Sequence, residues 1–215
     1  MELDHFFIFT SINAPEIDCL LDIGLTEGKS NTHLGQGTAN RRIFFNNFML
    51  EFLWVVEEKE VCSPLIAPTH LWERWRYLET GYSPFGIGFT RSTENEKLPF
   101  ATWDYRPPYL PSPLKIDVAN NINPKEPFLF VIPFKKSDRE RSFNHPNRIK
   151  EITNIKITIP TNKPFSQAIN TIQETGLVTF CKGKEHLVEI ECDRGIQKQT
   201  HDCRSSLPLI LWWEK

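Results

Sequence analysis

The stretch LDHFFIF at 3–9 reads as a β-strand with two unlike faces. Successive strand side chains point to opposite sides, so Leu3, His5, Phe7 and Phe9 share one face and Phe6 and Ile8 the other. A short helix follows over about 14–23. Asn13 is its expected N-cap, Pro15 sits in the first turn and Gly24 stops it. Two strands come next, RRIFFNN at 41–47 and FMLEFLWVV at 48–56, with Asn46-Asn47 near the turn. A further strand is expected within 27–36.

The same order returns near the C-terminus. ITNIKITIP at 152–160 is a strand, a helix is expected over 163–174 with Asn162 as its cap, and LVTFCKG, HLVEIEC and LPLILWW are strands. His5 maps onto Asn154 and Pro15 onto Pro164, each at a separation of 149 residues, while Gly24 and Gly176 lie 152 apart. A duplicated βαβββ unit accounts for this agreement, giving an α+β fold of residues 1–56, a middle insert 57–151 and a second unit 152–215. The isoleucines of 152–160 match Phe6 and Ile8; Asn154 and Lys156 match the His5 face. The simplest packing hides the isoleucine face under the helix and turns the His5 and Asn154 face toward a cleft. The insert opens with a helix at 70–79 capped by Thr69 and continues with strands at 84–91, 98–106, 114–120 and 127–134, separated by prolines. The charged stretch 135–148 reads as an exposed connection.

Composition narrows the function. The chain has 215 residues and a net charge of -2, from 25 basic and 27 acidic side chains. Scattered, nearly balanced charge argues against a nucleic-acid face. The longest uncharged apolar run, Pro127 to Phe134, is far below the ~20 residues that span a membrane. Five cysteines without a CxxC read as reduced thiols of a cytoplasmic protein. Cys192, His201 and Cys203 fit no common structural zinc spacing. GQGTAN at 35–40 lacks the third glycine of a dinucleotide fingerprint and opens no helix.

Glu51 is the most informative residue. It interrupts FMLEFLWVV, on a face shared with Met49, Leu53 and Val55. A buried carboxylate is costly unless something answers it. A metal ion, a basic partner (Lys156, Arg41, Arg42 or Arg91) or a retained proton would each do so.

LDHFFIFT, GQGTANRRIFFNNFMLEFLWV, SPFGIGFTR and HPNRIKEITNIKI together resemble a glyoxalase-like domain of the vicinal oxygen chelate superfamily. The resemblance implies paired βαβββ modules forming an open, eight-stranded, barrel-like sheet around a cleft. It implies a divalent metal held from the first and last strands of each module, with His5 and Glu51 as the ligands of the first. The second module departs from the pattern, with Asn154 and Pro208 or Leu209 at the matching places. His33, His145 and Asp104 are conceivable replacements.

The expected function is a glyoxalase-like enzyme acting on a small oxygen-bearing molecule, with the metal as Lewis acid. Glu51 would be ligand and base, and Thr38, Asn40, Arg41, Arg91, Trp103, Tyr105, Asn154 and Lys156 would contact ligand. The alternative is a metal-free small-molecule binding or resistance protein, in which Glu51 pairs with Lys156 or an arginine. The expected partner is a small molecule rather than a nucleic acid or a membrane, and the chain a monomer or homodimer. The superfamily's range of activities means that the fold alone does not choose between these functions.

Overall fold

A computed structural model of the chain describes residues 1–120, 122–134, 144–195 and 199–213. Most of the charged connection expected at 135–148 therefore lies outside the described residues. The first unit holds β1 (Glu2–Phe9), α1 (Asp18–Asp22), β2 (Asn31–His33), β3 (Thr38–Phe44) and β4 (Met49–Val55). The middle segment holds α2 (Glu58–Val61), α3 (Leu71–Trp75), α4 (Tyr77–Thr80), β5 (Phe85–Thr90), β6 (Thr102–Tyr105), β7 (Ile116–Ala119) and β8 (Phe128–Val131). The last part holds β9 (Ile152–Ile159), α5 (Gln167–Glu174), β10 (Thr179–Lys182), β11 (Leu187–Cys192), β12 (Gln199–Asp202) and β13 (Leu209–Trp213). Two expected caps are replaced. A 3-10 turn over Pro15–Ile17, preceded by left-handed Ala14, leads into α1 with no side-chain cap, and Ser166 rather than Asn162 caps α5.

The strands form two mixed sheets. The larger has the order β2-β3-β4-β1-β5-β8-β7-β6, and the smaller β10-β9-β11-β13-β12. Within the larger sheet β1 runs parallel to β4, and β5 runs parallel to β8. Antiparallel pairing of β1 with β5 joins the two halves. The middle segment therefore supplies the half that completes the larger sheet, the place the sequence reading assigned to 152–215. The C-terminal strands differ in topology as well, since β9 lies between β10 and β11 rather than at the end of a β2-β3-β4-β1 order. The sheet is open, with β2 and β6 as its edges. Their flanking loops meet: Tyr105 Oη donates to Gln36 Oε1 at 2.7 Å, and the His33 and Tyr109 rings lie 5.0 Å apart.

The hydrophobic core explains the arrangement. Phe6, Ile8, Ile43, Leu50, Phe52, Ile87 and Phe89 on one face of the larger sheet join Ile155, Ile157, Ile159, Val188 and Leu209 of the smaller sheet in one buried cluster. Each sheet hides its apolar face against the other, as in a sandwich. The isoleucine face of β9 is thus inward, as expected. The matched outer faces, bearing His5 and Asn154, necessarily look in opposite directions. Phe7, Phe9, Leu53, Val55, Val118, Phe128 and Phe130 form a second cluster on the free, curved face of the larger sheet.

Two polar clamps join the parts. Asn47, in the β3–β4 turn, donates to Ile152 O at 2.7 Å and accepts from Ile152 N at 2.9 Å, so its amide imitates a strand partner. His145 accepts at Nδ1 from the Thr26 amide, 2.9 Å away, and donates from Nε2 to Phe44 O at 3.0 Å. The bond accepted at Nδ1 requires the neutral ring. Burial accordingly pulls the His145 pKa below 6.5, outweighing the Phe44 carbonyl, which pulls it up. A base with a depressed folded pKa contributes stability that is present above about pH 6.5 and lost as pH falls through the folded value. Stability measured by urea melts should fall between pH 7 and pH 5, and His145→Gln should flatten that slope. An unchanged slope in the variant would remove His145 as a source.

Candidate functional site

β-Strand alternation places the site. On β3, Thr38, Asn40, Arg42 and Phe44 fall on one parity and Ala39, Arg41 and Ile43 on the other. Asn40, Arg42 and Phe44 line a cavity of about 240 Å³ on the curved face, together with His5 and Phe7 of β1 and Met49, Glu51 and Leu53 of β4. His33, Tyr105 and Tyr109 close it from the sheet's edges, and Phe128 and Phe130 of β8 give it an apolar wall.

Glu51 is buried on that cavity wall. Asn40 Nδ2 donates to its Oε1. His33 Nε2 lies 3.8 Å from Oε1, and His5 Nε2 lies 3.9 Å from Oε2. The carboxylate is thus flanked by two imidazoles. Asp4, fully buried, places an oxygen 2.7 Å from His5 Nδ1. Neighbours in a regular strand face opposite ways, but the pairing of β1 with β5 slips between Leu3 and His5, and that irregularity brings Asp4 beside its neighbour's ring. An ionised carboxylate only accepts, so His5 Nδ1 donates to Asp4 and Nε2 faces Glu51.

His33 is held differently. Thr38 Oγ1 lies 2.9 Å from its Nδ1, and Gln36 Nε2 donates to the same hydroxyl at 2.7 Å. Burial pulls the His33 pKa below 6.5, more than Glu51 pulls it up, so the ring is neutral at pH 7. Burial also pushes the Tyr105 and Tyr109 phenols up, leaving them protonated hydrogen-bond donors. Two imidazoles thus stand about one carboxylate on the cavity wall.

Glycine makes room for His5. Gly88 of β5 is its cross-strand partner, and a Cβ there would lie 2.4 Å from His5 Cε1. At Gly86 a Cβ would lie 2.1 Å from Phe7 Cε1. The alternating glycines of PFGIGFTR therefore let the His5 and Phe7 rings lie across β5.

The expected site residues divide clearly. His5, Asn40, Glu51 and Tyr105 come together on the cavity, and buried Thr38 positions His33 behind it. Arg41 lies on the back of β3, where its guanidinium pairs with Glu27 at 2.6 Å and Asp18 at 3.0 Å. Arg42, on the cavity parity and paired in register with Glu51, occupies the place expected of Arg41. Arg91 binds Asp117 at 2.8 Å. Trp103 packs beside Tyr105, with centroids 5.8 Å apart, outside the cavity lining. Asn154 is exposed on the smaller sheet, and Lys156 pairs with Glu189 at 2.7 Å. Neither reaches Glu51, because the smaller sheet lies behind the larger. Of the conceivable replacement ligands only His33 reaches the cavity. His145 is the clamp described above, and exposed Asp104 pairs with Lys115 and Arg106. Asp4 went unread as a site residue, although its place beside His5 in the D-H opening was the signal available.

A second group lies behind the larger sheet. Ligand atoms of Cys19 (α1), His201 (β12) and Cys203 lie within 4.8 Å of one another, a group able to hold a metal ion. Cys192, whose spacing with His201 and Cys203 fits no common zinc pattern, is not part of this group and is fully buried in the main core.

The fold and site define a mixed α+β protein with a small, half-apolar cleft around a carboxylate. No family model matches the chain, and no curated protein matches it. Among solved structures it is similar to a hypothetical protein from Staphylococcus aureus, with a TM-score of 0.55 and 11% identity over 99% of this chain and 98% of that one. That likeness concerns the fold alone. No helix among the described residues is long and apolar enough to cross a membrane.

Proposed function

We propose that the protein is a glyoxalase-like enzyme acting on a small oxygen-bearing organic molecule in the cleft. The observation that carries this reading is the buried Glu51 between His5 and His33 on the wall of a cavity. His5, His33 and Glu51 are the residues that would hold a divalent ion, and the fit rests on His5 Nε2, which Asp4 turns inward. Bound there, such an ion supplies Lewis acidity toward a substrate oxygen.

The chain's own groups do the rest. Asn40 occupies Oε1 of Glu51, leaving Oε2 as the oxygen that takes a proton from an enolisable carbon. The protonated Tyr105 and Tyr109 bound the polar side, and Phe128 and Phe130 exclude water from the other.

Titration with Mn(II), an ion suited to oxygen and nitrogen donors, tests the reading. The wild-type chain should bind about one equivalent, and Asp4→Asn should weaken binding about 10–100-fold by releasing the His5 ring. Dicarbonyls, thiol adducts and catechols are the substrates to screen on the loaded protein. Failure of the wild-type chain to bind would sink the metal-dependent reading.

One observation favours metal-free binding instead. Where paired modules would each offer ligands, β5 and β8 offer only Gly88, Phe128 and Phe130 to the site. In that reading small oxygen-bearing molecules raise the melting temperature without any added ion.

A further inference from the structure

Cys19 and Cys203 are 184 residues apart in sequence, yet their sulfurs lie 3.2 Å from each other. Cys19 belongs to α1, against the back of the larger sheet, and Cys203 follows β12 at the edge of the smaller sheet. His201, two residues earlier, brings a ring nitrogen to the same point. The imidazole also packs against Trp213, with centroids 6.4 Å apart. Its Nε2 is buried without a hydrogen-bond partner, an arrangement that disfavours the folded state unless something answers it. Cys203 is buried and Cys19 half-buried, so the group is reachable from solvent on one side only.

We propose that Cys19, His201 and Cys203 form a zinc-binding site that ties α1 to the C-terminal sheet. Two thiolates and an imidazole are a soft donor set that selects zinc over magnesium or manganese. The sulfur separation supports an ion more than a bond. It is well beyond the ~2.0 Å of a disulfide. Two Zn–S bonds of ~2.3 Å at a tetrahedral angle place the sulfurs about 3.8 Å apart, so the thiols need only open by roughly half an ångström. Water fills the fourth position on the open side. This site is separate from the cleft and independent of its proposed chemistry.

Two features set the test. No cysteine lines the cleft, so a thiolate signal reports this site alone. Cys203 is buried deeply enough that its replacement could disturb folding, so Cys19→Ser and His201→Gln are the variants used. The full chain, reduced with a phosphine and freed of metal, is titrated with Co(II). The expected result is a near-ultraviolet sulfur-to-cobalt charge-transfer band, with tetrahedral visible bands, whose full amplitude corresponds to about one thiolate-bound Co(II) per chain and which Zn(II) abolishes. Cys19→Ser should lose the charge-transfer intensity of one sulfur, and both variants should bind at least about tenfold more weakly. Zinc should also raise the melting temperature of the wild-type chain more than that of Cys19→Ser, because binding only the folded state stabilises it. Three results would overturn the proposal: no charge-transfer band, an unchanged band in Cys19→Ser, or a Cys19–Cys203 disulfide that forms in air in a chain that binds no Co(II) when reduced.

Discussion

Glu51→Ala should abolish Mn(II) binding in the cleft and lower turnover of any substrate found by a factor on the order of 10²–10⁴. The carboxylate lies between His5 and His33, 3.9 and 3.8 Å away, so without it the two imidazoles share no anionic ligand and the proposed base is gone. The effect on stability should be small by comparison. Deletion leaves the Asn40 amide without its acceptor, at a cost of about 1–3 kcal/mol. It also removes a buried charge whose desolvation opposes folding. These oppose each other, so the variant should fold while the site is lost. Ion titration and a thermal melt on one sample separate the two effects. Undiminished Mn(II) affinity in a folded Glu51→Ala protein would place the ion elsewhere.

Arg74→Ala should produce the largest loss of stability, about 3–5 kcal/mol, as for breaking a buried charge arrangement on one side. In a chain of this size that lowers the melting temperature by on the order of 10 °C. Arg74 of α3 is buried, and its Nη1 donates to Ser83 O at 3.0 Å and to Glu126 O at 2.9 Å. Its guanidinium lies over the Phe128 ring, 5.7 Å from the centroid. Burial brings its pKa down to about 10, so it is still charged at neutral pH. Truncation would strand two carbonyls and leave the buried Glu126, whose oxygens receive the Ser166 and Asn123 amides, without its nearby cation. The residues that Arg74 joins lead into β5 and β8, so the loss should also loosen the apolar wall of the cleft. A loss below about 1 kcal/mol in urea melts would show that the pocket relaxes around the deletion.

Much of the cleft was legible along single strands. Alternation in LDHFFIF put His5 and Phe7 on one face, and the break in FMLEFLWVV singled out Glu51 as a carboxylate needing partners. The same rule, applied to TANRRIF, separates Arg42 from Arg41; reading the motif as a block of neighbours put Arg41 in the cleft instead. What alternation leaves open is which strand lies beside which. His33 sits in a polar three-residue strand with weak local signal, and it reaches Glu51 only because the sheet curves until its edge loops meet. Asp4 joins His5 through an irregularity in pairing with β5, a strand some eighty residues away in sequence.

The repeat shows the limit most plainly. Spacing of strands, prolines and glycines makes 152–215 resemble 2–55, yet 85–131 completes the larger sheet. Local patterns of hydrophobicity determined most of the strands, though not the polar β12, together with the face of β1 and β9 that is buried and the common face of Glu51 and His5. Tertiary structure alone decided that the two apolar faces close on each other, sending Asn154 and Lys156 to the far side. It also brought His33 to the cleft and Cys19 to Cys203. The reason is physical: burial rewards covering an apolar face but does not specify which distant segment covers it, and that choice falls to the shape and pairing of the whole chain.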